Sequence, residues 1–416
     1  KTRRLQPRGS LNTTRKCSQP ARERMGFGQL GVRVGPSKEM GFTLTFHLLG
    51  LSPTQKHHSL ITEAPAMALQ CSPRLRQVAE VVDQLGFEAY RTRQILELAY
   101  KSHYSDFMHM KVLPRKLRYA LTSHFSGPFL SLKPVKEVKG DFAHKVLFEC
   151  RDGVRIEAVS LDFHSHRSLC ISSQAGCAFS CSFCATGKIG LKRQLTADEI
   201  TDQVLYFMHL GQKVDTVSFM GMGEPLANPK VFDALKLLTD PDVFNFSSRR
   251  LNVSTIGILP GIEKLTREHP QVNLVFSLHS PFPEERNVLV PTNRIYPFQD
   301  SFALLDRRIE KTGRRIWIAY LMLKGRTDTH EHADSLVQLI KERPFNVQHL
   351  YHVNLLPYNT ARGVDGGFER LEENAVEKFA RTLSQKGISW SYRNSFGAAI
   401  DAACGQLHGM YEAKPK

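Results

Sequence analysis

The sequence predicts an α/β protein, folded as a partial (β/α)6 barrel behind a small N-terminal helical domain. From residue 167 onward, strand-like apolar segments alternate with amphipathic helical segments, a pattern typical of a parallel sheet with helical crossovers. No GxGxxG motif follows the first of these strands, so a dinucleotide-binding fold is disfavoured. A complete eight-fold barrel needs two more strand–helix units than we find, so the count favours a partial barrel.

Six strand–helix pairs account for the predicted barrel. The strands are expected at 167–174, 214–220, 249–255, 272–278, 315–323 and 349–356. The helices are expected at 196–210, 229–239, 260–268, 297–312, 330–342 and 373–386. The segment "ISWSYRN" (388–394) is a candidate for one additional strand.

The region before the barrel divides into helices and a β-hairpin. Residues 68–130 have helical periodicity; "SPRLRQVAEVVDQLG" begins with a serine cap and stops at Gly86. Lysine and arginine occupy the polar faces of these helices, which suits either ordinary solvation or contact with RNA. Residues 140–163 predict a hairpin around the turn "RDG".

Residues 1–66 differ in composition from the rest of the chain. They contain 11 of the 56 Lys and Arg residues and only 3 of the 40 Asp and Glu residues, without sustained periodicity. They suit an organelle-targeting leader or, as we favour, a disordered tail or upstream sequence ahead of a start at Met67. We therefore expect a basic leader or non-native extension (1–66), a helical RNA-binding accessory domain (67–135) and the barrel with its hairpin and C-terminal loop (136–412).

Composition restricts the class of protein. The 416 residues are 41% apolar and 23% charged, as in soluble globular proteins, and no apolar run approaches the roughly 18 residues that span a membrane. The net charge of +16 suits an anionic partner, most often nucleic acid, although residues 1–66 carry half of it. Eight cysteines are too few for a disulfide scaffold, and their clustering indicates metal binding or catalysis in a reducing compartment.

Three cysteines have the spacing of a metal site. Cys177, Cys181 and Cys184 form a C-x3-C-x2-C motif, which can hold three corners of an iron–sulfur cluster and leave one iron open for reaction. The alternative is structural zinc with His164 or His166 as fourth ligand. Because zinc sites usually pair two C-x2-C motifs and only one is present, the spacing favours iron–sulfur.

Polar motifs lie where the predicted strands end. In "FMGMGEPLAN" (219–228), two glycines allow close approach of the backbone to a ligand, and Glu224 can accept hydrogen bonds from an ammonium group. The motifs "VSTIG", "FSLHS" and "NLLPYN" end later strands. Each motif alone also suits a turn or a strand cap. Together with the cysteine loop, they place an active site at the C-terminal ends of the strands.

Two further residues have ordinary explanations when taken alone. Cys404, in "AACGQL", suits a buried structural cysteine. Glu157, in "VRIEAV", suits a solvent-facing strand residue.

These motifs resemble those of the Cfr/RlmN family of radical S-adenosylmethionine (SAM) enzymes, which methylate an adenosine of 23S ribosomal RNA. The resemblance runs from about Met67 to Glu412 and includes "CISSQAGCAFSCSFCATG", "SFMGMGEPLAN", "FSLHSPFPEER" and "AACGQL". It implies a partial (β/α)6 radical SAM barrel with a small N-terminal helical accessory domain. Residues 1–66 have no counterpart in the family.

The resemblance implies the cofactors and their ligands. Cys177, Cys181 and Cys184 would bind a [4Fe–4S] cluster, and the amino and carboxylate groups of SAM would take its fourth iron. Gly223 and Glu224 would hold the methionine amine. The rest of the SAM site would comprise Ser254, Ser277, Leu278, His279 and Asn359.

The resemblance also implies a two-stage route. Cys404 would take a methyl group from one SAM, and a radical from a second SAM would remove a hydrogen atom from that methyl group. The resulting carbon radical would add to the adenine ring, and Glu157 would remove the ring proton. Cys170 would then release the product by forming a disulfide bond with Cys404.

The site of methylation depends on the branch of the family. RlmN-type enzymes act at C2 and Cfr-type enzymes at C8; segments such as "RRLNVSTIGI" are closer to Cfr, whereas Pro225 matches RlmN. We expect C8 methylation in the peptidyl-transferase centre, and with it resistance to ribosome-targeting antibiotics. The alternatives are C2 methylation of 23S rRNA and tRNA, and a non-catalytic zinc-containing RNA-binding protein.

The implied partners are 23S rRNA, with tRNA as a further candidate, and a reductant such as flavodoxin or ferredoxin. We expect a monomer without membrane association. The expected location is the cytoplasm, or the mitochondrion if residues 1–66 are a targeting leader.

Overall fold

The structure is a computed structural model that describes residues 66–408, except residues 362, 365, 366 and 394. The predicted leader therefore lies outside the described residues, apart from Ala66. Among the described residues, no helix is both long and apolar enough to cross a membrane. The expected division at residues 135 and 136 stays a prediction.

The first described elements are short helices. Helix α2 (Pro73–Gln84) begins where the sequence predicts, because the Ser72 side chain accepts a hydrogen bond from the Leu75 N–H at 3.0 Å and Pro73 occupies the first helical position. The helices in this region are α1 (Ala66–Cys71), α2 (Pro73–Gln84), α3 (Tyr90–Leu96), which continues as a π-helical turn (Glu97–Lys101), the 3-10 turn Phe107–His109, and α4 (Arg115–Phe125).

One ten-stranded sheet follows, together with a separate two-stranded pair. The chain order of the strands in the large sheet is also their spatial order, with β1 to β4 antiparallel and β4 onward parallel. The strands of the large sheet are β1 (Lys133–Lys139), β2 (Ala143–Glu149), β3 (Arg155–Asp162), β4 (Arg167–Cys170), β7 (Thr216–Phe219), β8 (Leu251–Thr255), β9 (Asn273–Ser277), β10 (Ile316–Met322), β11 (Tyr351–Pro357) and β12 (Trp390–Tyr392). The separate pair is β5 (Gln174–Ala175) with β6 (Arg193–Gln194).

The strands and helices predicted for the barrel are confirmed. The hairpin β2–β3, the six barrel strands and the additional strand β12 all form, and the predicted helices match six of the observed ones. Strand β1 was not predicted. The barrel helices are α5 (Ala185–Ile189), α6 (Ala197–His209), α7 (Lys230–Thr239), α8 (Leu259–Glu268), α9 (Pro283–Leu289), α10 (Phe298–Thr312), α11 (His330–Lys341), α12 (Phe345–Gln348) and α13 (Glu373–Gln385).

A buried charged cluster fixes the N-terminal helices to the barrel. The guanidinium of Arg74, only 4% exposed, donates to the Asp202 carboxylate at 2.6 Å and to the Phe129 carbonyl at 3.0 Å. Asp198 accepts hydrogen bonds from the Arg74 backbone N–H and from the Ser72 hydroxyl. Because both aspartates belong to α6, the cap of α2 is also its attachment to the barrel.

Removing one partner of this cluster should destabilise the protein strongly. We expect Asp202→Ala to lower the free energy of unfolding by about 3 kcal/mol, because it leaves the Arg74 charge buried with fewer partners. Urea-induced unfolding followed by circular dichroism measures this change. Asp242→Ala breaks the exposed Arg93–Asp242 pair and should cost less than about 1 kcal/mol. Equal losses in both variants would contradict the assignment.

Candidate active site

A cavity of about 180 Å³ lies at the C-terminal ends of the parallel strands. The cysteine loop, the strand ends and the C-terminal loop all contribute to its walls, as the strand-end motifs predict. Ten of the thirteen predicted site residues line it: Cys177, Cys181, Cys184, Gly223, Glu224, Ser254, Ser277, His279, Asn359 and Cys404.

Three predicted site residues lie elsewhere. Cys170 ends β4 and lines a second cavity of about 30 Å³. Leu278 is fully buried in the apolar core, where its N–H donates to the Ala319 carbonyl at 3.1 Å. Glu157 is fully buried on β3 and is not among the residues described as lining either cavity.

The cysteine loop is held by backbone hydrogen bonds from two sides. The Ser182 N–H donates to the Leu289 carbonyl of α9 at 3.0 Å, and the Ala185 N–H donates to the Gly405 carbonyl at 2.8 Å. The loop can close at Gly176 only without a side chain, because a Cβ there would lie 1.9 Å from the Gly190 carbonyl oxygen. These contacts hold the loop against α9 and against the segment that follows Cys404.

The three loop cysteines are free thiols in an apolar setting. Burial raises the pKa of Cys177 to about 12 and also raises the pKa values of Cys181 and Cys184. In the protein alone these groups are therefore protonated at neutral pH. Metal ligation requires the thiolates, so binding of a metal group here would release protons.

The histidines proposed as zinc ligands do not share this cavity. His164 packs edge-on against Phe142, and His166 stacks on Phe163. Neither histidine is among the residues that line the cavity of the three cysteines. Within the part of the chain that the structure describes, no group of three or more His, Cys, Asp or Glu residues is arranged to hold a metal ion.

Glu224 is a buried carboxylate that faces the cavity. It is 4% exposed, and its two oxygens accept the N–H groups of Leu226 at 3.2 Å and Ile256 at 3.1 Å. Burial raises its pKa to about 7, and among the described residues no basic side chain forms an ion pair with it. An ammonium group arriving in the cavity would supply the missing charge.

The two glycines of the same motif line the cavity and are also required for the packing of the chain around it. We expected them to admit a ligand close to the backbone. A Cβ on Gly221 would lie 2.7 Å from the Ile171 carbonyl, and a Cβ on Gly223, at φ +94°, would lie 2.4 Å from the Gln174 Cβ. Both glycines therefore let the motif pack against the chain that follows β4, and Gly223 also requires the left-handed conformation.

Two further lining residues are arranged for a polar ligand. His279 has φ +64°, and its Nδ1 accepts the Leu321 N–H at 3.2 Å, so the ring proton lies on Nε2. Burial lowers the pKa of His279 to about 3, which keeps the ring neutral. The buried Oδ1 of Asn359 has no hydrogen-bond partner among the described residues. Such an unpaired acceptor in a cavity wall is explained by a ligand that donates to it.

Cys404 joins the two cavities. Its exposed thiol lines the cavity of the loop cysteines and also the one that contains Cys170. Arg393 lines both cavities as well and was not predicted as a site residue. In the sequence it is a cation within the predicted strand segment 388–394, and in the structure it directly follows β12.

The expected disulfide bond between Cys170 and Cys404 is absent from the structure, where both residues are free thiols. Burial, with a smaller contribution from the nearby Cys404, raises the pKa of Cys170 to about 12, and Arg393 opposes this shift. Disulfide formation begins from a thiolate, so the protonated state of Cys170 slows its attack on Cys404.

Glu157 is not the solvent-facing residue that its position in the sequence suggested. Its carboxylate lies 3.2 Å from the Lys145 ammonium and accepts the His408 N–H at 2.8 Å. Lys145 also donates to the Asp401 carbonyl at 2.9 Å. The hairpin β2–β3 thus holds the C-terminal loop on both sides of Cys404.

Comparison with known proteins matches residues 171–338 to the radical SAM superfamily. The ribosomal RNA large subunit methyltransferase Cfr of Staphylococcus warneri is 49% identical over 324 residues, which cover 78% of this chain and 93% of the relative. This protein belongs to the Cfr-type family of radical SAM rRNA methyltransferases. The Cfr protein of Clostridium botulinum strain Langeland is 46% identical over 339 residues, covering 81% and 98% of the two chains.

A solved structure supports the fold of this Cfr-type enzyme. The radical SAM methyltransferase from Sphaerobacter thermophilus is 37% identical and has a TM-score of 0.75, with 80% of this chain and 97% of that chain covered. The predicted resemblance and the radical SAM fold class are therefore confirmed. Membership in an enzyme family decides against the non-catalytic zinc-binding alternative.

The two cysteines outside the loop motif should differ in reactivity. At pH 8 we expect iodoacetamide to modify Cys404 at least tenfold faster than Cys170, because Cys404 is exposed and burial raises the pKa of Cys170 to about 12. Peptide mass spectrometry at successive times measures both rates. Cys404→Ala serves as the control and should lose the rapidly labelled peptide. Equal labelling of the two cysteines would contradict the geometry.

Proposed function

We propose that this enzyme methylates C8 of an adenosine in the peptidyl-transferase centre of 23S rRNA through a methyl-Cys404 intermediate. Resistance to antibiotics that bind this centre would follow. The supporting observation is that the Cys404 thiol lines the cavity of the loop cysteines and also the cavity of Cys170. A thiol in this position can receive a group from a cofactor on one side and be released from its product by a second thiol on the other.

The loop cysteines and the cavity walls fit the cofactors of this reaction. We assign Cys177, Cys181 and Cys184 to a [4Fe–4S] cluster and the buried carboxylate of Glu224 to the ammonium group of SAM. When bound, the cluster and SAM supply a methyl group and, after one-electron reduction, a radical that removes hydrogen. Polar SAM groups would also contact Ser254, Ser277, His279 and Asn359, whereas Leu278 would act only by packing beneath them.

Glu157 and Cys170 would complete the chemistry after the base is attached. Glu157 accepts the N–H of His408, so we propose that the C-terminal loop moves when the carboxylate takes the ring proton. The ammonium group of the neighbouring Lys145 lies 3.2 Å from that carboxylate. Arg393 would favour the Cys170 thiolate when Cys170 attacks Cys404, since it opposes the effect of burial on that pKa.

The proposed partners follow from charge and chemistry. We propose 23S rRNA as the substrate, in keeping with the net charge of +16, and a one-electron donor such as flavodoxin or ferredoxin. The relatives named above are called ribosomal RNA large subunit methyltransferases, which agrees with this substrate. We also propose that the enzyme works as a monomer in the cytoplasm.

The modified nucleoside identifies the reaction. We expect anaerobic reaction of the purified enzyme with SAM, a reductant and a 23S rRNA fragment to yield 8-methyladenosine, measured by mass spectrometry of the digested RNA. Cys404→Ala should reduce the product by about 1000-fold or more, since it removes the methyl acceptor. Cys71→Ala is the matched control, because this buried cysteine lines neither cavity. Formation of 2-methyladenosine alone would assign the enzyme to RlmN-type chemistry instead.

Removing the second thiol should trap the reaction. We expect Cys170→Ala to accumulate a covalent protein–RNA adduct, because no neighbouring thiol remains to release Cys404. Denaturing gel electrophoresis before and after ribonuclease treatment detects this adduct. The double variant Cys170→Ala, Cys404→Ala should form none. Release of methylated RNA by Cys170→Ala at the normal rate would exclude the proposed role of Cys170.

A further inference from the structure

Arg286 is the largest fully buried side chain beside the active site, with 0% exposure. It belongs to the short helix α9, and its guanidinium donates to four oxygens. The acceptors are the carbonyls of Ile256 at 2.7 Å, Ser277 at 3.0 Å and Leu278 at 2.9 Å, and Asn293 Oδ1 at 2.5 Å. All four acceptors are neutral, so these contacts satisfy its hydrogen bonds without balancing its charge.

No carboxylate among the described residues forms an ion pair with Arg286. Burial lowers its pKa to about 10, which leaves the group charged at neutral pH. Burying an uncompensated cation is costly, and proteins usually pair such a group with an anion. Arg308 is likewise fully buried without an ion pair among the described residues, so the absence of a partner does not by itself locate an anion; the position of Arg286 does.

The position of Arg286 indicates where this anion binds. Two of its acceptors belong to Ile256 and Ser277, which line the cavity of the three loop cysteines. Leu289, on the same helix, accepts the Ser182 N–H and packs with Cys181 in a small apolar cluster. The buried cation therefore lies directly behind two lining residues of the cavity, on the helix that supports the cysteine loop.

We propose that Arg286 is the fixed counter-charge of the iron–sulfur cluster and raises the reduction potential of that cluster. This inference rests on the proposed cofactor site. Reduction adds one negative charge to a cluster already held by three thiolates. A positive charge fixed in a poorly polarisable interior stabilises the reduced form more than the oxidised form. Arg286 is thus a positioning residue that acts through the cluster without contacting the RNA.

The competing explanation is purely structural, because Arg286 also connects the ends of β8 and β9. Arg308 provides a matched control for that role. It is equally buried, and it also donates to backbone carbonyls, including that of Val272 at 2.6 Å. Val272 precedes β9 whereas Ser277 ends it. The carbonyls that Arg308 and Arg286 bind therefore lie roughly 15 Å apart along the strand.

The test compares Arg286→Met, Arg286→Lys and Arg308→Met as anaerobically reconstituted proteins of equal iron and sulfide content. The cluster is titrated with dithionite and redox mediators and followed by electron paramagnetic resonance. At a fixed potential, we expect Arg286→Met to lower the ratio of reduced to oxidised cluster about tenfold, equivalent to about 59 mV for one electron. Arg286→Lys and Arg308→Met should stay within threefold of the unmodified protein.

The outcomes separate this inference from the proposed function. An unchanged potential in Arg286→Met, or an equal shift in Arg308→Met, would overturn the counter-charge role. A cluster absent from the unmodified protein would overturn the proposed cofactor site itself. If Arg286→Met fails to fold, Arg286→Gln replaces it as the neutral variant in the same comparison.

Discussion

The contact between the cysteine loop and the C-terminal loop brings the active site together. The Ala185 N–H donates to the Gly405 carbonyl, and the Thr186 hydroxyl donates to the Leu407 carbonyl at 2.5 Å, across 221 positions of sequence. These bonds place the exposed thiol of Cys404 at the cavity of the three loop cysteines. Without them the barrel would still hold the strand-end residues, but Cys404 would have no fixed place.

The surroundings of this contact contain polar groups that a stable fold would otherwise avoid. Glu224 and Arg286 are buried ionisable groups without ion-pair partners among the described residues, and His279 has a backbone conformation that is uncommon for a residue other than glycine. Local departures of this kind concentrate at functional sites, where the surrounding structure holds them in place. In this protein, the large apolar core and the buried cluster around Arg74 offset the unfavourable free energy of these features.

The sequence predicted the barrel well because each unit has its own periodicity and its own helix signals. It also predicted most of the cavity, since the C-terminal ends of parallel strands must meet. Leu278 does not line the cavity, because a strand-end motif does not show which of its side chains face inward. Glu157 was not recognised as buried because its partner Lys145 lies on the neighbouring strand. Arg286 and Arg393 were missed because an isolated cation in a sequence resembles a surface residue.

The first strand of the large sheet has a consequence for the behaviour of the protein in solution. Among the described strands, β1 lies at one edge of the large sheet, is exposed along almost its whole length and has the sequence "KPVKEVK". An edge with unpaired backbone groups can recruit a strand from a second molecule, and lysine and proline are the residues that discourage this. Lys133, Lys136 and Lys139 would repel an identical strand, and Pro134 cannot donate a backbone hydrogen bond. The lysines and the proline of β1 make it unlike a typical strand in the sequence, which is why it was not predicted. The same residues protect the sheet against aggregation.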